Sequence, residues 1–376
     1  MAAGTAHPGV QTRTFGNEGN KMKNLKKNLK PLIGVITILS VVIYCSSPTE
    51  PWVKDPRDYT WTVDTIRSME PGALQTMISS VWASSPSDVY VCGFVDIGSN
   101  IYHYNGENWE AIDLRDYGLS KGYRNKVFGF SGNDVWIAGG LGHGYVGNRY
   151  VNSDLIHFDG SGWENYEFET RSELFDVWGP NPNDIWACGF GGIIIHYDGQ
   201  SWEFDTLNTA FLNEGEQFFP YSIRKYNNAL YVVGYRYPNP YYLFKKEDGD
   251  WEVIDSVEGG RDEYCFGTSG LFVSKANDFY SYGSYGIFRY NHGAWEKILQ
   301  VNSMVGNMVE FTRDKFLATE FNDNLYLLEN GSHEIIKQTG AEDIHFVNVW
   351  GNNEECFVTA WMYRGGIITT LVYHGQ

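Results

Sequence analysis

Three histidines occupy repeated positions in the chain and could in principle bind a metal. His103, His157 and His196 each precede a tyrosine or phenylalanine in segments that read alike. A zinc site needs ligands that converge on one ion, whereas equivalent positions in separate repeats hold these histidines apart. We therefore expect each to hydrogen-bond a neighbouring turn, and we predict no bound metal and no cofactor.

A second titratable residue also recurs once per repeat, an aspartate that ends a polar turn just before a strand. The members of this set are Asp88, Asp134, Asp184 and Asp278. Paired catalytic carboxylates must face each other across one cleft, but a turn aspartate accepts hydrogen bonds from nearby backbone N–H groups. The recurrence favours the turn role.

These residues lie in a degenerate repeat. Second strands are predicted at 88–93, 134–139 and 184–189, third strands at 101–106, 155–160 and 194–199, and a tryptophan follows each at Trp109, Trp163 and Trp202. Weaker copies lead to Trp251 and Trp295, and a sixth has His333 in place of the tryptophan. Asn-Gly and Asp-Gly pairs between the strands predict hairpin turns.

The seventh copy, 347–375, lacks a fourth strand, and 61–66 at the other end of the chain resembles the missing one. A blade completed from both termini removes two open sheet edges. The sequence therefore predicts an all-β fold, a seven-bladed β-propeller of four-stranded antiparallel blades, with the ring closed by an N-terminal strand that completes the last blade.

From about Asp58 to Gln376 the repeat resembles the Kelch and Asp-box class of β-propellers. It is more closely similar to bacterial surface lipoproteins that carry the pattern W-G-x4-D-V-W-x2-G … I-x-H-Y-D-G-x2-W. This resemblance implies a binding or scaffold module more often than an enzyme, although some relatives are assigned as glucosyltransferases. The repeat is specific for architecture and unspecific for activity.

The N-terminal region has the features of an export signal. Four lysines between 23 and 30 precede an apolar run from Leu32 to Tyr44. This run is shorter than the roughly 20 residues that a transmembrane helix needs. The run ends at Cys45 in a segment that resembles a bacterial lipobox, so the resemblance implies lipidation of Cys45; Tyr44 departs from the small residue preferred there. An uncleaved anchor is the alternative, and Met1 and Met22 are both candidate starts.

We accordingly divide the chain into an extension plus lipoprotein signal peptide (1–45), a linker (46–57) and the propeller (58–376). The expected location is the bacterial cell envelope, lipid-anchored in the outer membrane, with the propeller facing the periplasm or the exterior. The net charge of −18 excludes nucleic acid as the main partner, because nucleic-acid binding needs a basic surface. The lipid anchor is then the expected membrane contact of a monomeric ring.

Loop lengths distinguish one face of the predicted ring. Long connections fall between blades and between second and third strands, and these two types emerge on the same side, here called the upper face. Aromatic and arginine side chains, which are enriched in binding hot spots, concentrate there. The candidate ligand-binding residues are Tyr117, Arg124, Tyr145, Arg149, Tyr150, Arg236, Tyr237, Tyr241, Tyr242, Arg261, Trp361, Tyr363 and Arg364.

Two functions remain open at this point. The first is a non-catalytic surface module that binds a glycan or an exported protein. The second is a carbohydrate-active enzyme, a hydrolase, lyase or glucosyltransferase-like protein, with acidic groups from upper-face loops; the available carboxylates are Asp116, Glu214, Glu216, Glu258, Asp262 and Glu263. An enzyme predicts two converging carboxylates, one with a raised pKa, and a binder predicts a flat aromatic platform. No catalytic residues can be assigned, and the balance favours a binder.

Overall fold

The computed structural model describes residues 54–140, 153–168, 173–207, 216–237, 240–258 and 265–376. The chain divides into Met1–Trp52 and Val53–Gln376, and every described residue belongs to the second unit. Cys45 and the predicted signal peptide lie outside the described residues. The described part is built from β-strands that pair in antiparallel order, with three short 3-10 turns.

Strand β1 (Trp61–Ile66) comes first in the chain but belongs to the last blade. Four blades then follow, each made of four consecutive strands. Blade 1 has β2 (Thr76–Ser85), β3 (Asp88–Val95), β4 (Ile101–Tyr104) and β5 (Trp109–Ala111); blade 2 has β6 (Tyr123–Ser131), β7 (Asp134–Gly140), β8 (Ser153–Phe158) and β9 (Trp163–Phe168). Blade 3 has β10 (Leu174–Asn181), β11 (Asp184–Gly189), β12 (Ile193–Tyr197) and β13 (Trp202–Thr206); blade 4 has β14 (Gln217–Tyr226), β15 (Ala229–Tyr237), β16 (Tyr241–Lys246) and β17 (Glu252–Val257).

Two further sheets complete the fold. Blade 5 has β18 (Gly270–Val273), β19 (Phe279–Asn291), β20 (Ala294–Thr312), β21 (Lys315–Glu320), β22 (Asn324–Glu329) and β23 (Ser332–Gln338). Blade 6 has β24 (Ile344–Gly351), β25 (Cys356–Arg364) and β26 (Ile367–Gly375), and β1 is its fourth strand.

The predicted count of seven blades is wrong, because the structure has six. The repeats counted as fifth and sixth share one six-stranded sheet. The cause is β20, which pairs with β19 through its first part and with β21 through its second. Two separate blades would need a connection in the middle of this segment. Instead β20 is continuous there, and the N–H groups of Asn302 and Ser303 donate to the Glu320 carboxylate at 2.9 and 3.2 Å.

The closure of the ring follows the prediction. Strand β1 pairs antiparallel with β26 in the register Trp61↔Gly375 to Ile66↔Thr370. The last residue extends this pairing, since Gln376 and Thr60 exchange two backbone hydrogen bonds of 2.9 and 3.0 Å. Because β26 is thereby paired on both sides, the blade leaves no open edge where the chain ends.

The apolar core lies between neighbouring blades. Second and third strands are buried on both faces, as in β7, where Val135, Ile137 and Ala138 have no solvent exposure. One cluster joins Leu155 of blade 2 with Leu174, Ile185 and other residues of blade 3. Each blade is thus stabilised by burial against the next blade rather than by a core of its own.

The recurrent histidines are structural, as predicted, but their partners differ from those expected. Nε2 of His103, His157 and His196 lies 2.6, 2.9 and 2.9 Å from Oδ1 of Asp88, Asp134 and Asp184 in the same blade. Each imidazole also stacks on the aromatic ring of the second strand, at 4.3, 3.9 and 3.7 Å between centroids. These aspartates therefore bind the histidine side chains of their own blades, rather than chiefly backbone N–H groups.

Candidate functional site

Seven strands lie innermost, namely the first strands of the six blades and, in addition, β20 of blade 5. Strands β2, β6, β10 and β14 contact one another in sequence, and β18, β20 and β24 complete the circle back to β2. In six of these strands a β-bulge interrupts the pairing with the next strand of the same sheet. The residue after each bulge is polar or charged, and we call these residues the belt: Ser80, Lys126, Asp176, Ser222, Asn307 and Asn348.

Most belt residues hold a neighbouring blade by a hydrogen bond. The oxygens of Ser80, Asp176 and Ser222 accept the backbone N–H groups of Val127, Ile223 and Leu271 at 3.1, 3.0 and 3.2 Å. In the other half of the ring, Nδ2 of Asn307 donates to Oδ1 of Asn348 at 2.7 Å, and Nδ2 of Asn348 donates to the Ser79 carbonyl at 3.0 Å. The bulges thus turn polar side chains toward the adjacent blade.

Lys126 departs from this arrangement. The structure shows neither a hydrogen bond nor an ion pair for its ammonium among the described residues, although the side chain is only partly exposed. Burial lowers the pKa of Lys126, the Asp176 carboxylate opposes that shift, and the Arg224 guanidinium adds to it. Partial burial therefore disfavours the charged form of Lys126, and no described side chain bonds its ammonium.

The next belt residue forms a buried ion pair. Asp176 Oδ2 lies 2.5 Å from Arg224 Nη1, with 3% and 11% of the two side chains exposed. The same Arg224 nitrogen donates to the Ile223 carbonyl, and the guanidinium lies 5.7 Å from the ring centroid of Trp178. Strand β6, which carries Lys126, lies next to β10, so these three belt-region residues sum to a charge of about +1.

We expect Lys126→Met to raise the free energy of unfolding at pH 7, in chloride buffer, by about 1 kcal/mol, because a partly buried charge without a partner is replaced by an apolar side chain of similar length. The folded-state pKa of Lys126 is lower than the ordinary value of 10.5, so above the lowered value the unfolded chain holds a proton that the native state does not. Wild-type stability therefore gains on the variant as the pH rises toward 10.5. Urea unfolding of both proteins from pH 7 to pH 10 measures this, and a constant difference would contradict the assignment.

A group of aromatic side chains occupies the upper ends of blades 3 and 4, at the start of β10 and β14 and where β11 passes to β12 and β15 to β16. We call it the tyrosine surface: Phe175, Phe190, Phe219, Tyr221, Tyr235, Tyr237 and Tyr241. Ring centroids of contacting pairs lie 4.8 to 6.4 Å apart, in one set around Phe175 and Phe219 and a second around Tyr235. The two sets adjoin because Phe219 and Tyr235 are paired between β14 and β15. The contacts of Phe175 with Phe219 and Tyr221 join the two blades.

The most accessible members of the tyrosine surface are Tyr237, 63% exposed, and Tyr221, 36% exposed. The hydroxyl of Tyr221 is influenced by its neighbours: burial raises its pKa to about 12, with Tyr241 and Tyr235 adding to the shift. It therefore stays protonated at any physiological pH and is available as a hydrogen-bond donor.

Three predicted site residues lie on or beside the tyrosine surface. Tyr237 and Tyr241 both contact the ring of Tyr235, at 6.4 and 4.8 Å. Arg236 lies between them in sequence, and its Nη1 is 3.7 Å from Oε2 of Glu216. The structure thus brings together three of the four site residues predicted on β15 and β16, the exception being Tyr242.

Other predicted residues lie on different blades. On blade 6, Trp361 donates from Nε1 to the Ile78 carbonyl at 2.7 Å. Tyr363 is 37% exposed, and its ring contacts that of His345. Arg364 forms an ion pair with Asp343 at 2.8 Å. Tyr117 ends the 3-10 turn after β5 and is 46% exposed. Trp361 therefore links blades 6 and 1.

Two predicted residues belong to the core rather than to the surface, Arg124 as a buried residue and Tyr242 as a partly buried one. Arg124 is 1% exposed and pairs with Asp154 at 2.6 Å. Tyr242 packs against Phe218 and Phe244 in the core between blades 3 and 4. Both follow from strand alternation, because neighbours on a strand point to opposite faces. Tyr145, Arg149, Tyr150 and Arg261 lie outside the described residues.

The candidate carboxylates are only partly described, since Glu214, Asp262 and Glu263 lie outside the described residues. Asp116 is exposed on the 3-10 turn after β5, Glu216 faces Arg236, and Glu258 is exposed after β17. Where the pKa of a described carboxyl group is clearly shifted, the shift is downward, as at Asp205, where burial would raise it but the hydrogen bonds from Lys246 and Trp251 outweigh that effect. Low carboxyl pKa values fit ion pairing rather than general-acid chemistry.

Sequence reasoning missed Phe175, Phe219, Tyr221 and the belt. Loop lengths indicate only the connections between strands, whereas these residues lie inside the innermost strands. A signal was present in Phe218-Phe219-Pro220-Tyr221, because a proline inside an aromatic strand indicates a bulge or an edge. The structure has a bulge there, between Pro220 and Ser222.

Two further observations bear on chemistry and location. Among the described residues, no group of His, Cys, Asp and Glu side chains is placed to hold a metal ion. In the same part of the chain no helix has the length and apolar character needed to cross a membrane.

No family model matches the chain, and no curated protein is similar to it in sequence. Solved structures similar to it include YCF48 bound to D1 peptide, with 13% identity, a TM-score of 0.55, and coverage of 83% of this chain and 96% of that one. Another is the extracellular domain of the putative hybrid two component system BT4673 from B. thetaiotaomicron, with 13% identity and a TM-score of 0.55; the match covers 83% of this chain but only 40% of that one. A third is the Cps50 (Swd1) β-propeller domain of Myceliophteria thermophila, with 12% identity, a TM-score of 0.52, and coverage of 83% and 99%. At these identities the similarity concerns the fold alone, and by its fold the chain is a β-propeller.

Proposed function

We propose that the protein is a non-catalytic binding module of the bacterial cell envelope, which holds a segment of an exported protein on the tyrosine surface. The observation that carries this proposal is the exposure of Tyr237 and Tyr221 at the edge of a packed aromatic group. Exposed tyrosines on a rigid scaffold provide large contact area at a low entropic cost. Export and lipidation at Cys45 belong to the same proposal.

The geometry of the rings favours a polypeptide over a glycan. A sugar ring stacks on a flat aromatic face, but the planes of Tyr235 and Tyr237 make an angle of 82°, and those of Phe175 and Tyr221 an angle of 61°. Such an uneven surface, with phenolic hydroxyls at its edge, suits side chains and backbone groups of an extended segment.

Similar propellers are consistent with this proposal. One of them is bound to a D1 peptide, and another is an extracellular domain of a putative bacterial two component system. These facts concern those proteins. They support the view that a ring of this fold can bind a peptide and can work outside the cell.

We expect the double variant Tyr221→Ala/Tyr237→Ala to lose at least tenfold in affinity for the ligands of the wild-type protein, since truncation of an interface tyrosine costs about 1 kcal/mol or more for each residue. Ligands would be selected in parallel from a displayed peptide library and a glycan array, and affinities measured by calorimetry. The matched control is Phe204→Ala/Val253→Ala, which removes side chains 55% and 46% exposed on the fourth strands of blades 3 and 4.

Peptides bound by the wild type and by the control, but not by the tyrosine variant, support the proposal. Glycan binding that the tyrosine variant loses, with no peptide selected, would overturn the choice of a polypeptide. Equal binding by all three proteins would place the ligand elsewhere on the ring.

A further inference from the structure

We propose that the protein binds a saccharide in a cleft between blades 6 and 1. The inference goes beyond the proposed function, because the tyrosine surface lies on blades 3 and 4. The cleft consists of two cavities of about 420 and 260 Å³, and small-molecule sites commonly have volumes of roughly 300 to 1,000 Å³. The two cavities adjoin, since both are lined by Glu70, Gly98, Ser99, Asp113 and Arg115.

The cleft exists because the fourth strand of blade 1 is short. Strand β5 has three residues, whereas β9 and β13 have six and five. Its last residue, Ala111, pairs with Tyr102 of β4. At the equivalent place, blades 2 and 3 have the larger Asn165 and Phe204. The small side chain of Ala111 thus leaves space beside Tyr102, and Ile66 of β1 contributes to the facing wall.

The larger cavity has a hydroxyl group without a partner. Tyr102 lines this cavity and is 7% exposed, and its hydroxyl makes no hydrogen bond with any described residue. Burial raises the pKa of Tyr102 to about 12, so the hydroxyl stays protonated at neutral pH. Ile156 and Ile195 occupy the equivalent positions of blades 2 and 3 and have no solvent exposure. Blade 1 therefore has a polar group where these blades have an apolar one, and a ligand that hydrogen-bonds the hydroxyl would offset its desolvation.

The smaller cavity has an acceptor without a partner. Asn100 is 2% exposed, and its Nδ2 donates to the carbonyls of Lys121 and Gly122 at 3.3 and 2.6 Å. These two bonds use both N–H groups of the amide, while its Oδ1 accepts no hydrogen bond within the described part of the chain. Asn100 and Tyr102 are two residues apart, which places them on the same face of an extended strand. One ligand in the cleft can therefore reach both groups.

An aromatic side chain of fixed orientation forms another wall of the larger cavity. Trp109 is partly exposed there. Its Nε1 donates to Asp64 Oδ2 at 3.1 Å, and its ring centroid lies 5.2 Å from that of Tyr104. A sugar ring packs its C–H groups against such an aromatic side chain while its hydroxyls bond the polar groups around it. The combination of a fixed tryptophan with unpaired buried polar groups favours a saccharide.

The charges of the larger cavity favour a neutral ligand. Two cations and two carboxylates line it: Arg67, Arg115, Glu70 and Asp113. Nε of Arg115 lies 2.9 and 3.0 Å from the carboxylate oxygens of Asp113, and the ammonium of Lys121, in the smaller cavity, donates to two backbone carbonyls. An anion would meet two carboxylates in the larger cavity, and an apolar ligand would leave the two buried polar groups unpaired. Saccharide hydroxyls both donate and accept, and they carry no charge.

The test measures binding of saccharides to the full chain, first on a glycan array and then by calorimetry with maltose, cellobiose, lactose and the saccharides selected on the array. We expect at least one to bind with a dissociation constant of about 1 mM or lower. Tyr102→Phe should weaken this binding about fivefold, as the loss of one neutral hydrogen bond does. The matched control Tyr373→Phe should leave it unchanged, because Tyr373 is the equivalent residue of blade 6 and lines neither cavity.

A second variant fills the cleft. Ala111→Phe introduces the residue that blade 3 has at this place, so we expect it to fold and to weaken saccharide binding about tenfold or more by steric exclusion. An array without a bound saccharide would overturn the inference, and so would saccharide binding that Ala111→Phe retains.

The tyrosine variant Tyr221→Ala/Tyr237→Ala separates this site from the proposed binding surface. We expect it to keep saccharide binding, and a loss there with none in Ala111→Phe would overturn the cleft as the saccharide site. Weaker binding of a selected peptide by Ala111→Phe, with no saccharide bound, would overturn the choice of a saccharide. Peptide binding that only the tyrosine variant loses supports the proposed function whatever the saccharide result, so the two failures are distinguishable.

Discussion

Trp163→Ala is expected to lower the free energy of unfolding by about 3 to 5 kcal/mol, the range typical of large aromatic truncations in a core. Trp163 is 6% exposed, and its ring lies 5.3 Å from Phe158 in its own blade and 6.3 Å from Tyr90 in blade 1. It therefore closes the core between blades 1 and 2, in one cluster with Ile137 and Ile156. The loss would appear in denaturant unfolding at an unchanged dependence on denaturant.

The matched control for this variant is Phe204→Ala, because Phe204 is 55% exposed on β13. We expect that substitution to cost less than about 1 kcal/mol. Similar losses in both variants would mean that the repeat tryptophan is not an anchor between blades, and the same would follow from a small loss in Trp163→Ala.

The repeat made much of this core predictable. Hydrophobic second strands, Asp-Gly and Asn-Gly turns and a following tryptophan specify a hairpin unit that needs a neighbour to bury its faces. The turn glycines have the positive φ that such hairpins require, with Gly160 at 87° and Gly199 at 88°. Closure through β1 was also predictable, because the last copy lacked one strand and the first strand had no copy of its own.

The number of blades was not predictable by counting copies. Whether a chain turns between two repeats depends on backbone pairing, and the segment from Ala294 to Thr312 has no proline to stop a strand. The Glu320 carboxylate, which comes from a later strand, holds the N–H groups that a loop would have left to solvent. The continuous strand is thus stabilised by hydrogen bonds to Glu320, a residue outside the segment itself.

The candidate site was predictable in its position and only partly in its residues. Loop length correctly indicated the segment that contains Arg236, Tyr237 and Tyr241. It could not distinguish side chains of that segment that point into the core from those that point to solvent. Lys126 gave no signal, because Asn125-Lys126 in a strand reads as an ordinary polar pair. The environment of Lys126 depends on the bulge in β6 and on the residues of the adjacent blade, and neither can be recognised from the local sequence.

Arg124, which the loop argument assigned to a surface, leads to the second large effect. Its guanidinium is buried with the Asp154 carboxylate at 2.6 Å, and Nη2 donates to the Ser120 carbonyl at 3.0 Å. We expect Arg124→Met to lower the free energy of unfolding by about 3 to 5 kcal/mol, since Asp154 would keep a buried negative charge without its guanidinium.

The control for this prediction removes the second charge as well. Arg124→Met/Asp154→Leu replaces the ion pair by apolar side chains, and we expect it to recover most of the stability lost in the single variant, because the pair itself contributes little net free energy once its desolvation is counted. Denaturant unfolding of the two variants and the wild type at pH 7 gives the coupling directly. A double variant no more stable than the single one would contradict this reason. The guanidinium would then act through its hydrogen bonds to the carbonyls of Ser120 and Tyr123, which hold the connection from blade 1 to blade 2.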